Sequence, residues 1–290
     1  MYNNPINVVL IIIALSRYKS IKYMKKEQMR FFLLFSLPII ATFLILSTFK
    51  PTLPHWSAPG YFALMIIAAS YLSEINKEEE IRFPKVLKSG VFLTAAIMIA
   101  ATVQIKTGFI DYTPKTEPQE LGKKDVTLDM YGWRQLGDAF RQLRIQYIKS
   151  GEMPENTYIL AENWFPAAHY DFYVGNPCQV DVKTIGPLDR THKYAWITQQ
   201  RGGIHPGDFA YYIESSRLDG SAAEISKKYF SSCELAKTVQ IKRRNKTVMF
   251  YKIYKLKNLV KLPEDDLLYG HLPSVKSQNF EENDLFRLNN

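Results

Sequence analysis

The chain has 290 residues, of which 37 are basic, 28 acidic and 47% hydrophobic. That length allows one or two domains, and the net charge of +9 admits an anionic membrane surface, a phosphate-bearing ligand or nucleic acid as partner. No RNA- or DNA-binding motif accompanies the charge, and the long apolar runs crowd into residues 1–106, so a soluble nucleic-acid binder is excluded.

Pro5 to Ser16 is apolar but short. Asn3 and Asn4 precede it and the positive charges follow it, the reverse of a cleavable signal peptide. It reads as the end of a span. Six basic residues come next: Arg17, Lys19, Lys22, Lys25, Lys26 and Arg30. Phe31 to Phe49 is a run of 19 residues without a charge, close to the roughly 20 that a helix needs to cross a bilayer. Pro38 lies inside it and is tolerated where neighbouring groups satisfy the freed carbonyl. Pro51, Pro54 and Pro59 mark a loop or short re-entrant turn, after which Tyr61 to Leu72 starts a returning helix. Ser89 to Ile105 forms a further span. Residues 17–30 carry six Lys or Arg and residues 73–88 carry four, whereas 50–56 carry only Lys50. The excess of positive charge places 17–30 and 73–88 in the cytoplasm, with 50–60 and everything after 106 on the outer side.

Residues 107–130 read as a polar linker. Trp133, Leu136, Phe140, Leu143 and Tyr147 recur at helical spacing, predicting an amphipathic helix over Tyr131–Lys149 with Asp129 as its N-cap. Thr157–Ala161 reads as a buried strand, Phe165–Tyr173 as a helix and Gln179–Lys183 as a strand. Asp208–Glu214 is a further strand and Ser221–Tyr229 a further helix. Ala236–Lys242 and Thr247–Leu256 form a hairpin joined by Arg243–Lys246. This alternation points to a small mixed sheet flanked by helices. Residues 261–290 are polar and turn-rich and read as a loosely ordered tail. The expected organisation is therefore an α-helical transmembrane bundle of about three to four spans (1–106), a small extracytoplasmic α/β domain (107–260) and the tail. Cys178 and Cys233 both fall in the outward part, where a disulfide is chemically permitted.

The chain has no GxSxG, HExxH, P-loop or CxxC, and its five histidines are scattered, so neither a metal nor a cofactor is expected. The informative segment is FKPTLPHWSAPGY (49–61). A lone lysine at the outer end of a span either snorkels to the interface or pairs with an anion. Trp56 and Tyr61 suit an interfacial aromatic belt.

That segment resembles the lysine, Trp and Ala-Pro stretch of bacterial family 39-type membrane glycosyltransferases, relatives of protein O-mannosyltransferases and lipid A aminoarabinose transferases. DMYGWRQLGDAF (129–140), ILAENWFPAAHYDFYVGNPCQV (159–180) and GDFAYYIESS (207–216) resemble the C-terminal domain of the same proteins. The likeness runs over roughly residues 30–255, as a matched order of segments rather than a strict signature. It implies a GT-C fold and transfer of a sugar from a polyprenyl-phosphate donor to a glycan, lipid or protein acceptor outside the cytoplasm. It further implies that Lys50 contacts the donor phosphate, with His55 and Trp56 as neighbours in the donor pocket. Glu162, Trp164 and Tyr170 are candidates for an acceptor groove. The family's catalytic aspartate lies in an early outer loop and maps onto no residue here, so no catalytic residue is assigned. The expectation is then the C-terminal part of such an enzyme, inactive by itself, in the bacterial inner membrane. A non-catalytic membrane-anchored module that binds a glycan or a protein is the alternative.

Overall fold

Long uncharged runs can satisfy their backbone only internally when removed from water, and in this chain they fold as helices. The computed structural model describes residues 5–22, 24–50, 52–75, 84–112, 121–217 and 222–262. The chain divides into two units, Met1–Thr102 and Val103–Asn290.

The helical unit contains α1 (Pro5–Ser16), α2 (Lys26–Phe49), α3 (Ala58–Ile75) and most of α4 (Lys85–Thr107). Three helical segments, Lys26–Phe49, His55–Ile75 and Lys85–Thr107, are long and apolar enough to cross a membrane, whereas α1 has only 12 residues. Helix α3 packs against both α1 and α2. Its Leu64, Ile67, Ala68, Tyr71 and Leu72 meet Leu10, Ile11 and Ala14 of α1 and Met29 of α2. By contrast, only 6% of the apolar window of α2 and of α4 is buried within the chain. Exposed apolar surface of that extent suits hydrocarbon rather than water. Hydroxyls within these helices, among them Ser36, Ser47, Ser70 and Thr102, donate to carbonyls three or four residues earlier. Each of these hydroxyls thereby has a hydrogen-bond partner within its own helix. Helix α2 runs through Pro38 without a break.

Helices α2 and α3 lie close together at Gly60. A Cβ there would stand 2.8 Å from Ile40 Cγ1 and 2.9 Å from the Ser36 carbonyl oxygen. Small residues permit such contacts between apolar helices. Gly60→Leu is expected to destabilise this pair by roughly 1–3 kcal/mol, the usual cost of overpacking. Thermal unfolding of the whole chain in detergent checks it.

The sheet unit is built on five strands: β1 (Tyr158–Ala161), β2 (Val182–Thr184), β3 (Ala210–Ser215), β4 (Phe230–Arg243) and β5 (Lys246–Leu259). Their spatial order is β2-β1-β3-β5-β4. Strands β2, β1 and β3 run parallel, while β5 is antiparallel to both β3 and β4. The sheet is mixed, as its sequence pattern predicts. Alternate residues of β1 face opposite ways. Ile159 and Ala161 join a cluster with α5 (Trp133–Lys149) and α6 (Trp164–Tyr170), and Tyr158 and Leu160 join one with α10 (Ala222–Tyr229). Helices therefore cover both faces. The β4–β5 turn uses Arg244 (φ 49°) and Asn245 (φ 63°), both left-handed. Two such residues match the right-handed twist of the flanking strands.

Several boundaries differ from the sequence reading. The N-cap of α5 is Gly132 rather than Asp129, because the chain enters with φ 90° there, a conformation that glycine adopts without strain. Asp129 instead lies in a 3-10 turn, Val126–Met130, and pairs with Arg217 at 2.5 Å. The end of the expected linker is folded too: Asp125 and Leu128 are buried and carry that turn against the sheet. Helix α6 stops at Tyr170 and passes through a π-helical turn, Asp171–Gly175, into α7 (Asn176–Cys178). Strand β2 starts at Val182, after Gln179 turns the chain with φ 53°. The short helices α8 (Leu188–Thr191) and α9 (Tyr194–Gln200) lack a readable period. Helix α9 caps the open edge of β2, where Thr198 Oγ1 accepts the Thr184 N–H at 2.8 Å. Cys178 packs against the α5 face of the sheet and Cys233 against the α10 face. Both are free thiols, separated by the sheet itself. Pro51, residues 76–83 of the charged loop, 113–120 of the linker and the tail from 263 lie outside the described residues.

Candidate functional site

Lys50 is the C-cap of α2. It leaves the helix in extended conformation (φ −140°, ψ 147°), and its N–H donates to the Leu46 carbonyl at 2.9 Å. A 3-10 turn, Pro54–Ser57, then redirects the chain into α3. The turn brings the indole of Trp56 to 5.8 Å from the ring of Phe43 on α2. Lys50, His55 and Trp56 are all exposed. A cation, an imidazole and an indole thus all lie on the short connection between α2 and α3. Such a group can pair with a phosphate whose apolar chain lies along the helices.

In the sheet unit the three proposed groove residues separate. Glu162 and Trp164 lie just beyond the carboxyl end of β1, where ligands of open α/β sheets commonly gather. Asn163 between them caps α6, its side chain accepting the Phe165 N–H at 3.3 Å. Glu162 accepts a 2.8 Å hydrogen bond from the Tyr212 hydroxyl on β3. Trp164 is 42% exposed and stands 5.4 Å from the His192 ring. Tyr170 does not belong with them. Its ring is buried on the α5 face, its hydroxyl donates to the Ile213 carbonyl at 3.1 Å, and burial pushes its pKa up. It is a core residue rather than a groove residue, because the helical period of α6 turns position 170 inward.

A concavity of about 430 Å³ opens at the other end of the parallel strands. Tyr158, Asp181, Lys183, Arg201, His205 and Asp208 line it. Lys183 is buried, donates to the Gly203 carbonyl at 2.6 Å and lies 4.6 Å from the centre of the Tyr158 ring. Desolvation lowers its pKa, against the opposing pull of Asp208 and Asp181. Arg201 pairs with Asp171 at 3.1 Å and with Asp181 at 3.5 Å. Sequence reasoning missed this cleft. Lys183 was visible only as a strand residue, and Arg201 follows a helix with no apolar period. Among the described residues, no group of three His, Cys, Asp or Glu side chains is placed to hold a metal ion.

Comparison of the chain with protein-family models, with curated proteins and with solved structures finds no match.

Proposed function

We propose that this is a multi-pass protein of the bacterial inner membrane that takes part in moving a sugar from a polyprenyl-phosphate donor to an acceptor outside the cytoplasm. In this reading the chain supplies a late part of a GT-C bundle and the outward α/β domain. The observation that carries it is Lys50, an exposed cation at the end of a 24-residue apolar helix, followed by the connection that carries Trp56 onto Phe43. Lysine at a helix C-terminus also complements the negative end of the helix dipole. A role confined to the dipole does not involve phosphate, so the two roles separate experimentally.

The test is titration of the whole chain in lipid nanodiscs with a short-chain polyprenyl phosphate. Lys50→Ala is expected to weaken binding roughly 10- to 100-fold, the equivalent of one charge-assisted contact. Lys50→Arg should retain part of the affinity. Equal binding by wild type and Lys50→Ala would return Lys50 to the helix dipole and remove the main support for the proposal.

A second reading, a membrane-anchored module that grips a glycan or a partner protein, draws on Trp164. Its exposed indole beside Glu162 and Tyr212 offers a stacking face next to hydrogen-bonding groups. Glycan binding lost in Trp164→Ala, with Lys50→Ala unaffected, would favour it.

A further inference from the structure

The first residues after α4 do not lead away from the helix. The Gln104 side chain donates to the Ile110 carbonyl at 2.8 Å and accepts the Ile110 N–H at 2.9 Å. That pair of hydrogen bonds folds Gly108–Ile110 back against the last turn of α4. Phe109 and Ile110 are nonetheless 54% and 45% exposed.

Arg243, beside the β4–β5 turn, gathers the surrounding pieces. Its guanidinium meets Asp125 Oδ2 at 2.5 Å, Thr127 Oγ1 at 2.9 Å and the Ile105 carbonyl at 3.4 Å. A Cβ on Gly108 would collide with its Nε, so the chain lies directly on the guanidinium. The 3-10 turn Val126–Met130 is thereby held beside the end of α4, with Val126 72% and Met130 73% exposed. Lys242, Arg244 and Lys246 surround the same point on the hairpin and are exposed, Lys246 in an ion pair with Asp111, which leaves the patch a net basic charge.

We propose that this edge of the sheet unit is a lipid-binding surface, in which Phe109, Ile110, Val126 and Met130 enter the bilayer interface while Lys242, Arg244 and Lys246 meet anionic headgroups. The occupant follows from position. Phe109 lies two residues past Thr107, the last residue of an apolar helix long enough to cross a membrane. A chain advances at most about 3.5 Å per residue, and Gln104 holds this stretch back rather than letting it extend. If α4 spans, these side chains have no route away from the interface. Apolar residues ringed by basic ones are the composition that binds such an interface. The inference rests on α4 as a span and is independent of any sugar transfer.

The test uses the full chain with Cys178→Ser and Cys233→Ser, carrying a polarity-sensitive dye at one introduced cysteine. The positions are Val126→Cys and Met130→Cys, with Met98→Cys in α4 as the membrane reference. Trp196→Cys, beside the opposite edge of the sheet, is the aqueous reference. Each is reconstituted in phosphatidylcholine vesicles containing spin-labelled lipid, with and without phosphatidylglycerol. The dyes at 126 and 130 are expected to shift to the blue and be quenched by the lipid label several-fold more than the dye at 196. Phosphatidylglycerol should increase that quenching. If 126 and 130 behave like 196 while 98 is quenched, the proposal is overturned and the span stands. If 98 itself is unquenched, both fall. A dye at 126 shielded from aqueous iodide yet untouched by lipid label would place protein there, and also overturns the proposal.

Discussion

Replacing Arg243 by methionine is expected to cost the sheet unit about 3–5 kcal/mol, the penalty for leaving a buried charge without its partner. Arg243 and Asp125 are among the few buried charged residues, with side-chain exposures of 3% and 1%. Asp125 would remain enclosed without the guanidinium, keeping the Thr127 N–H and hydroxyl as donors. Local consequences follow from the geometry. The Ile105 carbonyl at the end of α4, the Thr127 hydroxyl and the face of Tyr131 all lose the same guanidinium. The measurement is the apparent Tm of the detergent-solubilised chain, which should fall by on the order of 10 °C for a unit of this size. The double variant Arg243→Met with Asp125→Leu separates charge from packing. It should recover much of the loss, since a buried ion pair often exchanges for apolar groups at little cost. A double variant as unstable as the single one would show that the hydrogen bonds, not the unpaired carboxylate, carry the effect.

Phe140→Ala should be comparably damaging, for a different reason. Phe140 is fully buried in the middle of α5, between Leu136 and Leu143, and its ring meets Tyr211 of β3 edge-on at 5.1 Å. Truncation removes apolar area, leaves a cavity and breaks that aromatic pair. Together these cost about 3–5 kcal/mol in well-packed cores. Phe172→Ala provides the contrast, because that ring is 66% exposed and should change stability by no more than about 0.5 kcal/mol. Denaturant midpoints of the two variants in one detergent decide the matter. Equal shifts would mean that α5 is not the principal cover of this sheet face.

The ease of reading the chain varied with the range of the interaction. Phe31–Phe49 declared α2 through apolar length alone, and Trp133, Leu136, Phe140 and Leu143 declared α5 through their period. Those features depend only on neighbours along the chain. Asp129 misled, because a capping residue is chosen by backbone conformation as well as chemistry, and the left-handed turn at Gly132 moved the cap by three positions. Helices α8 and α9 were unreadable since α9 is held by the open edge of β2, where Thr198 serves Thr184. No local pattern encodes that contact.

The candidate sites divide in the same way. Lys50, His55 and Trp56 are close in sequence, so one short connection carries all three. Glu162 and Trp164 are two positions apart in sequence, but Tyr212 as the partner of Glu162 required β1 and β3 to pair in register. Tyr170 changed from groove to core because its carbonyl partner lies 43 residues away. The cleft around Lys183 depends on three separate segments, Pro154–Tyr158, Asp181–Lys183 and Arg201–Phe209, and had no sequence signature.

Apolar run length and period by themselves determined that this chain carries helices able to cross a membrane, followed by a mixed sheet with helices packed on it. Tertiary structure alone decided which polar groups stand together, because pairing Arg243 with Asp125 or Lys183 with Gly203 takes residues from distant segments. Apolar burial is roughly additive along a chain, whereas a hydrogen bond or ion pair exists only where the fold has brought both partners within about 3 Å.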